Sequence, residues 1–303
     1  MQPANVSLPF TAQWDLPGRD GSVYRIQVAW PMHWTSREGH ADVPVLYTTD
    51  GNAMFLTAAE ACWRRASAPN FSGGGLVVAI GYPLDNHFLF SARRNYDLTP
   101  PSSGSTSTSP EGYGGADHLL DFIEGTLKPF VSSTVLAGGS TVGRQALYGH
   151  SFGGLFSLYA LFTRGHAFDC FVASSPSVYW DDFTVLEHEE RFRRRRGCGG
   201  EAAGATSTKP VLMLFYGGDE EDPPRWEGEG DEDYSRRRKG AEERGMVANA
   251  KAMHGRLKDC GRLCGVTIKG YPEEDHGTVI ACSLSRSVTT FFEDWSCAPR
   301  PMA

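Results

Sequence analysis

Short apolar runs alternate with longer amphipathic segments along this 303-residue chain. Residues 22–30 alternate apolar and polar side chains, which is typical of a half-buried strand. More continuous apolar runs predict buried strands. They lie at residues 43–49, 75–82, 168–175, 210–216 and 264–271, and one more begins at Gln145.

Between these runs, apolar residues recur at helical spacing. The pattern predicts helices over residues 53–66, 116–131, 241–260 and 278–295, with another directly after Ser151. After an N-terminal strand or hairpin, strand and helix therefore alternate to the end of the chain. That order predicts an α/β fold with a mostly parallel central sheet and helices on both of its faces.

Polar stretches interrupt this alternation. Segments rich in Gly, Ser, Thr, Arg or acidic residues lie at about 99–115, 187–209 and 217–240. They are too polar to pack a core, so we expect surface loops inserted into one domain that spans residues 1–303. The arginine run at 191–196 suits a solvated helix end better than a nucleic-acid patch.

One junction carries a chemical motif. Gly149, Ser151 and Gly153 form the pattern Gly-x-Ser-x-Gly between an apolar strand and an apolar helix. The bare pattern arises by chance in roughly a third of shuffled chains, so the elements around it carry the prediction. In this setting it is a nucleophile elbow, whose tight turn excludes side chains at the glycines and exposes Ser151 at its tip. The amides of the following helix favour a developing negative charge there.

A serine hydroxyl needs a base, and His276 is the best placed of nine histidines. It lies between the last strand and the last helix. Loops after parallel strands share one sheet edge, so His276 is expected beside Ser151. It also comes last, as the Ser–acid–His order of the α/β-hydrolase fold requires, and we predict that fold. His150 is expected to pack or to orient, because its backbone points it away from Ser151.

The third member of a triad would orient His276 and stabilise its charged form. It is expected after the strand at 210–216, where four carboxylates follow one another. They are Asp219, Glu220, Glu221 and Asp222. We favour Glu221, with Asp222 and Asp219 as alternatives, and a Ser151–His276 dyad without an acid is a further alternative.

An oxyanion hole needs two N–H donors. One is expected from Phe152, directly after the nucleophile. The other is expected from Gly51 or Asn52, in the loop after the strand at 43–49. Asp50-Gly51 is equally a simple turn signal without a catalytic part.

Composition and charge exclude several classes of protein. The chain is 40% hydrophobic and 21% charged, with a net charge of −7, so we expect neither nucleic acid nor anionic membrane as a partner. No apolar run is long enough to cross a bilayer, and residues 1–6 lack the features of a secretory signal. Seven scattered cysteines form no Cys-x-x-Cys pair or zinc pattern, so we expect reduced thiols, no metal and a cytoplasmic location.

Six segments form a distinctive set. They are Asp50-Gly51-Asn52-Ala53, Arg93-Arg94-x-Tyr96-Asp97-Leu98-Thr99-Pro100, Gly114-Gly115-Ala116-Asp117, Gly149-His150-Ser151-Phe152-Gly153-Gly154, Ser174-Ser175-Pro176-Ser177-x-x-Trp180 and His276-Gly277. The set resembles the siderophore-esterase branch of the α/β-hydrolases, and the match runs from about residue 10 to 295. Members include bacterial enterobactin, salmochelin and bacillibactin esterases and fungal esterases of fusarinine-type siderophores.

The resemblance implies hydrolysis of ester bonds in a cyclic or linear trimeric siderophore, often iron-loaded, without a cofactor, so that iron is released inside the cell. It implies that Ser151 and His276 are the catalytic pair. Arg93 or Arg94 would form a basic rim for an anionic ligand, or would instead pair with Asp97. Trp180 would wall the pocket or fill the core. The long insertions and the missing export signal favour a cytoplasmic enzyme for hydroxamate siderophores over a periplasmic catecholate esterase.

Two other functions fit the same residues. One is a general carboxylesterase or an acyltransferase on this scaffold. The other is a binding protein that has kept a hydrolase fold without its activity, and the presence of both Ser151 and His276 argues against it. The oligomeric state is left open.

Overall fold

The strands of the chain form one eight-stranded sheet in the computed structural model, which describes residues 6–67, 74–84, 88–102, 111–194, 209–293 and 295. In chain order the strands are β1 (Thr11–Pro17), β2 (Val23–Ala29), β3 (Val43–Thr48), β4 (Leu76–Gly81), β5 (Val142–His150), β6 (Cys170–Ser174), β7 (Val211–Gly217) and β8 (Gly265–Tyr271). Across the sheet the order is β1-β2-β4-β3-β5-β6-β7-β8.

The sheet is antiparallel only at one end. β1 pairs with β2 and β2 with β4 in antiparallel fashion, whereas every pairing from β4 through β3 to β8 is parallel. Every residue of β4 and of β6 is buried, as expected for strands covered on both faces. The predicted mostly parallel sheet of an α/β-hydrolase is confirmed.

Helices fill the connections between the parallel strands. They are α1 (Gly51–Ser67), α2 (Arg94–Asp97), α3 (Ala116–Phe122), α4 (Lys128–Phe130), α5 (Phe152–Arg164), α6 (Trp180–Arg194), α7 (Asp231–Arg244), α8 (Met246–Leu257) and α9 (Val279–Phe292). π-helical turns at Ile123–Leu127 and Val131–Val135 continue α3 and α4 into one helical run. A 3-10 turn, Gly218–Glu220, follows β7.

Two apolar cores lie on the two faces of the sheet. α1 and α9 cover one face, where Met54, Cys62 and Phe291 pack on residues such as Tyr148. The helices from α3 to α6, together with α8, cover the other face. This layering leaves the carboxyl ends of the parallel strands free to carry the loops that hold polar side chains.

Two of the predicted loop segments are partly helical. Residues 187–194 belong to α6, and α7 begins at Asp231 inside the predicted 217–240 loop. The predicted helix at 241–260 is two helices, divided at Gly245, which has φ 53°. α7 is rich in charged helix formers and buries only Ala241, so apolar periodicity gave no signal for it. Residues 103–110 and 195–208 lie outside the described chain.

The thiols differ from expectation at one position. Cys62, Cys170, Cys260 and Cys282 are free, but Cys264 is disulfide-bonded. The expectation that all cysteines are reduced is therefore wrong; Cys198 and Cys297 lie outside the described residues. None of the helices in the described ranges is long and apolar enough to span a membrane.

Candidate active site

Ser151 occupies a strained turn between β5 and α5. Its backbone has φ 59° and ψ −117°, a region that non-glycine residues rarely adopt. A Cβ on Gly149 would overlap the carbonyl group of Gly153, and one on Gly153 would overlap the hydroxyl of Thr49. The predicted need for small residues at these two positions is confirmed. α5 anchors the turn because its residues from Gly153 to Phe162 are buried.

The loop after β6 clamps the backbone of Ser151 from both sides. The Ser151 N–H donates to the carbonyl oxygen of Ser174 at 3.0 Å, and the Ser177 N–H donates to the carbonyl oxygen of Ser151 at 3.2 Å. The side chains also meet, with 3.3 Å between the hydroxyl oxygens of Ser151 and Ser177. The strained turn is thus held in place by hydrogen bonds to the neighbouring strand end.

His276 lies in the loop between β8 and α9, and its Nδ1 is 3.0 Å from Oε2 of Glu220. The histidine side chain is 46% exposed, whereas that of Glu220 is 1% exposed. Because Nδ1 forms a hydrogen bond with the Glu220 carboxylate, Nε2 is the ring nitrogen left to accept a proton. Asp275 fixes the loop by accepting from the N–H groups of Gly277 and Thr278 at 2.7 and 2.9 Å. These N–H bonds hold the pKa of Asp275 below its usual value.

The expected pairing of His276 with Glu221 is wrong. The Glu221 carboxylate accepts the N–H of Ala248 at 2.7 Å, at the start of α8. Glu220 instead turns inward because the 3-10 turn after β7 folds its side chain back onto the Gly217 N–H, which it accepts at 2.7 Å. The Ser175 hydroxyl donates to the same oxygen, Oε1.

The two other candidate acids also lie away from His276. Asp222 is exposed and pairs with Arg238 at 2.9 Å. Asp219 donates its N–H to the carbonyl oxygen of Glu274 and remains partly exposed. Of the four adjacent carboxylates, only the one at residue 220 reaches the histidine.

His150 links the elbow to the histidine loop. Its ring is buried and packs against the ring of His276, with 4.5 Å between centroids. Burial, and then the nearby charges of His276 and Arg94, hold the pKa of His150 well below its usual value. The expectation that His150 packs or orients is confirmed by this contact.

The contact through His150 brings His276 to the elbow. Within the described residues Ser151 and His276 form no direct hydrogen bond, and the Ser151 hydroxyl is bonded to Ser177 instead. Hydrogen bonds between a nucleophile and its base are often long or poorly aligned before substrate binds, so this geometry is compatible with a catalytic pair.

The predicted oxyanion donors lie at two helix starts. Phe152 is the first residue of α5, so its N–H has no partner within the helix. Gly51 and Asn52 begin α1, but they pack toward β4: the Asn52 side chain accepts the Tyr82 N–H at 2.8 Å and donates to the Tyr82 carbonyl oxygen at 2.9 Å. Their part in an oxyanion hole stays a prediction.

Both predicted arginines are engaged in ion pairs. Arg93 pairs with Asp97 at 3.0 Å and with Asp20 at 2.9 Å, which matches the alternative of a salt bridge to Asp97. Arg94 instead makes a two-pronged pair with the buried Asp50, at 2.7 and 3.0 Å, and lies 5.4 Å from the ring centre of Phe152. Only Arg94 therefore borders the elbow.

Trp180 reaches the elbow through a tyrosine that the sequence did not single out. Its ring stacks on Tyr113 at 6.2 Å between centroids, and Tyr113 meets Phe152 edge-on at 6.4 Å. Trp180 itself is 9% exposed. It belongs to the apolar core, which matches the alternative that Trp180 fills the core, and Tyr113 lies between it and Phe152.

Sequence reasoning also missed the two serines that contact the candidate catalytic groups. Ser175 and Ser177 were visible in the Ser-Ser-Pro-Ser segment, but no spacing rule links that segment to Glu220 or Ser151. No group of three or more metal-binding side chains occurs in the part of the chain that the structure describes. The site as described is one of hydroxyl, imidazole and carboxylate groups.

The order of the sheet and the elbow between β5 and α5 define an α/β-hydrolase. The esterase family described as "Putative esterase" matches residues 20–252. Siderophore triacetylfusarinine C esterase of Aspergillus fumigatus is 44% identical over 295 residues, which cover 97% of each chain. Siderophore enterobactin esterase of Emericella nidulans is 42% identical over 287 residues, covering 91% of this chain and 92% of that protein.

A solved structure supports the same family. Siderophore hydrolase EstB from Aspergillus nidulans superposes with a TM-score of 0.88 at 45% identity, covering 99% of this chain and 100% of that one. The chain belongs to this esterase family, and the resemblance predicted from its sequence motifs is confirmed.

Proposed function

We propose that this esterase hydrolyses ester bonds of a siderophore through an acyl-enzyme on Ser151. The observation that carries the proposal is the His276–Glu220 hydrogen bond, 3.0 Å long, beside the strained serine elbow. His276 takes the proton of Ser151 as its oxygen attacks the ester carbonyl carbon. The same histidine then protonates the departing alcohol and activates the water that releases the acid.

Glu220 takes the part of the triad acid in this proposal. Its buried carboxylate accepts from the Gly217 N–H and the Ser175 hydroxyl, so its remaining oxygen is held in one position against His276. A fixed carboxylate orients the imidazole and stabilises its charge as the proton arrives. The Phe152 N–H, with Gly51 or Asn52, would receive the developing oxyanion.

The names of the relatives support a siderophore as substrate. One relative is named as an esterase of triacetylfusarinine C and another as an esterase of enterobactin, and each is similar over nine-tenths or more of this chain. We propose that the ligand is a triester siderophore, with iron bound, and that the products are its hydroxy-acid units. Tyr113 and Phe152 would supply apolar surface beside the ester.

Incubation with ferric and iron-free siderophores of hydroxamate and catecholate type, followed by mass spectrometry of the products, tests this proposal. Wild-type protein should open at least one triester, and Ser151→Ala should release no product while keeping its thermal unfolding midpoint. Turnover of simple short-chain esters alone would instead identify a general carboxylesterase. Undiminished hydrolysis by Ser151→Ala would refute the serine mechanism.

We propose a cytoplasmic site of action, where hydrolysis would release iron for use in the cell. The four free cysteines support a reducing compartment, while the disulfide at Cys264 points the other way. Cell fractionation together with thiol trapping of Cys264 tests the location. Recovery in a secreted or vesicular fraction would overturn it.

A further inference from the structure

The Ser177 side chain forms a hydrogen bond with the proposed nucleophile, and its hydroxyl oxygen lies 3.3 Å from that of Ser151. It is 2% exposed, and Ser151 is its one side-chain partner among the described residues. The contact comes from the clamp of the β6 loop on Ser151, so it does not depend on a mobile surface chain.

Burial decides which hydroxyl donates. If Ser151 donated, the Ser177 proton would lie in the interior without an acceptor, which is unfavourable. If Ser177 donates, its buried proton has an acceptor in the Ser151 oxygen, and the Ser151 proton is left for the half-exposed His276. The second arrangement is therefore the favoured one.

We propose that Ser177 is a positioning residue, whose hydroxyl holds the Ser151 oxygen with its proton directed toward His276. This inference rests on the proposed esterase function. The Ser151 O–H bond breaks toward Nε2 of His276, the Ser151 oxygen bonds to the carbonyl carbon, and the π pair of the C=O bond moves onto the carbonyl oxygen. As the proton leaves, the Ser151 oxygen carries part of the negative charge. The Ser177 donor keeps its own proton, and its hydrogen bond strengthens with that charge.

The same loop also serves the acid. Ser175 donates to Glu220, two residues before Ser177. The loop after β6 thus contacts both the proposed acid, through Ser175, and the proposed nucleophile, through Ser177.

Ser177→Ala is expected to lower kcat for an activated ester about tenfold with little change in KM, because the lost bond strengthens in the transition state. The rate at which a fluorophosphonate labels Ser151 should fall by a similar factor. The pH–rate profile should keep its shape, since a serine hydroxyl does not titrate in this range. Ser177→Cys, nearly the same size but a weak donor, should lose activity in the same direction.

Ser157→Ala is the matched control. Ser157 is equally buried in α5, and its hydroxyl donates to the Leu147 carbonyl oxygen at 3.4 Å, away from the site. The Ser157→Ala variant should match the wild-type protein in its fluorophosphonate labelling rate and in kcat. Labelling of Ser177→Ala and Ser177→Cys at or above the wild-type rate would overturn the role of Ser177. Absence of hydrolysis and labelling in wild type would instead refute the esterase mechanism itself.

Discussion

Replacing Glu220 by glutamine is expected to lower kcat by about 30- to 1,000-fold, while the same change at Glu221 leaves it within about twofold. The two residues are neighbours with the same side chain. They differ in what they contact: Glu220 faces His276, and Glu221 accepts a backbone N–H from α8. The pair therefore forms its own matched control.

The magnitude follows from the geometry. Opposite charges about 4 Å apart interact by about 4 kcal/mol at an effective dielectric constant of about 20. The Nδ1 to Oε2 distance of 3.0 Å fits that separation of charge centres. Because His276 is 46% exposed, water screens the pair, and we take about half of this energy as the lower bound. A factor of ten in rate corresponds to about 1.4 kcal/mol, which gives the stated range.

The Glu220→Gln substitution also changes the hydrogen-bond donors that face His276. The Gly217 N–H and the Ser175 hydroxyl require an acceptor where Oε1 now lies, so the amide oxygen is drawn to that side. Its NH2 group then faces Nδ1 of His276, where two donors oppose each other. The imidazole must change tautomer, and Nε2 loses the ability to accept the Ser151 proton.

The assay is steady-state hydrolysis of an activated ester and of a siderophore triester by both variants. Thermal unfolding midpoints within a few degrees of wild type would show that loss of rate does not come from loss of fold. A larger loss in Glu221→Gln than in Glu220→Gln would refute the assignment of the acid. Full activity in both would favour a Ser151–His276 dyad.

Three further outcomes concern stability and are measured by denaturant unfolding. Arg94→Met should lower the free energy of unfolding by about 3–5 kcal/mol, because the Asp50 side chain, 2% exposed, is left buried without its ion pair. A loss below about 1 kcal/mol would contradict this expectation. Glu189→Gln should lower the free energy of unfolding by about 2 kcal/mol, because its 1% exposed carboxylate pairs with Arg193 and Arg256, each about a third exposed. Glu187→Gln, 53% exposed, should lower it by less than about 1 kcal/mol, and similar losses in the two variants would contradict the burial reasoning. The lowered pKa of His150 means that the unfolded chain binds a proton below about pH 6.5 that the native state does not, so stability falls as pH falls. His150→Gln should flatten that slope by up to about 1.4 kcal/mol per pH unit between about pH 6.5 and 5, and equal slopes would exclude this source.

Much of the fold could be predicted because local patterns carry it. Continuous apolar runs and helical spacing identified the buried strands and most helices, and the glycines around Ser151 marked the elbow. α7 was missed because its helix depends on charged residues with i,i+4 pairing, such as Arg238 with Glu242, and not on an apolar face.

The sequence by itself predicted that Ser151 lies at the turn between a strand and a helix and that His276 lies after the last strand, since chain order and strand direction bring both to one edge of a parallel sheet. Only the tertiary structure shows which of Glu220 and Glu221 contacts His276, because a single 3-10 turn after β7 directs the Glu220 carboxylate inward and leaves Glu221 facing α8. The same holds for Ser177. Its contact with Ser151 depends on how two strand ends are clamped side by side, and no spacing along the chain records that distance.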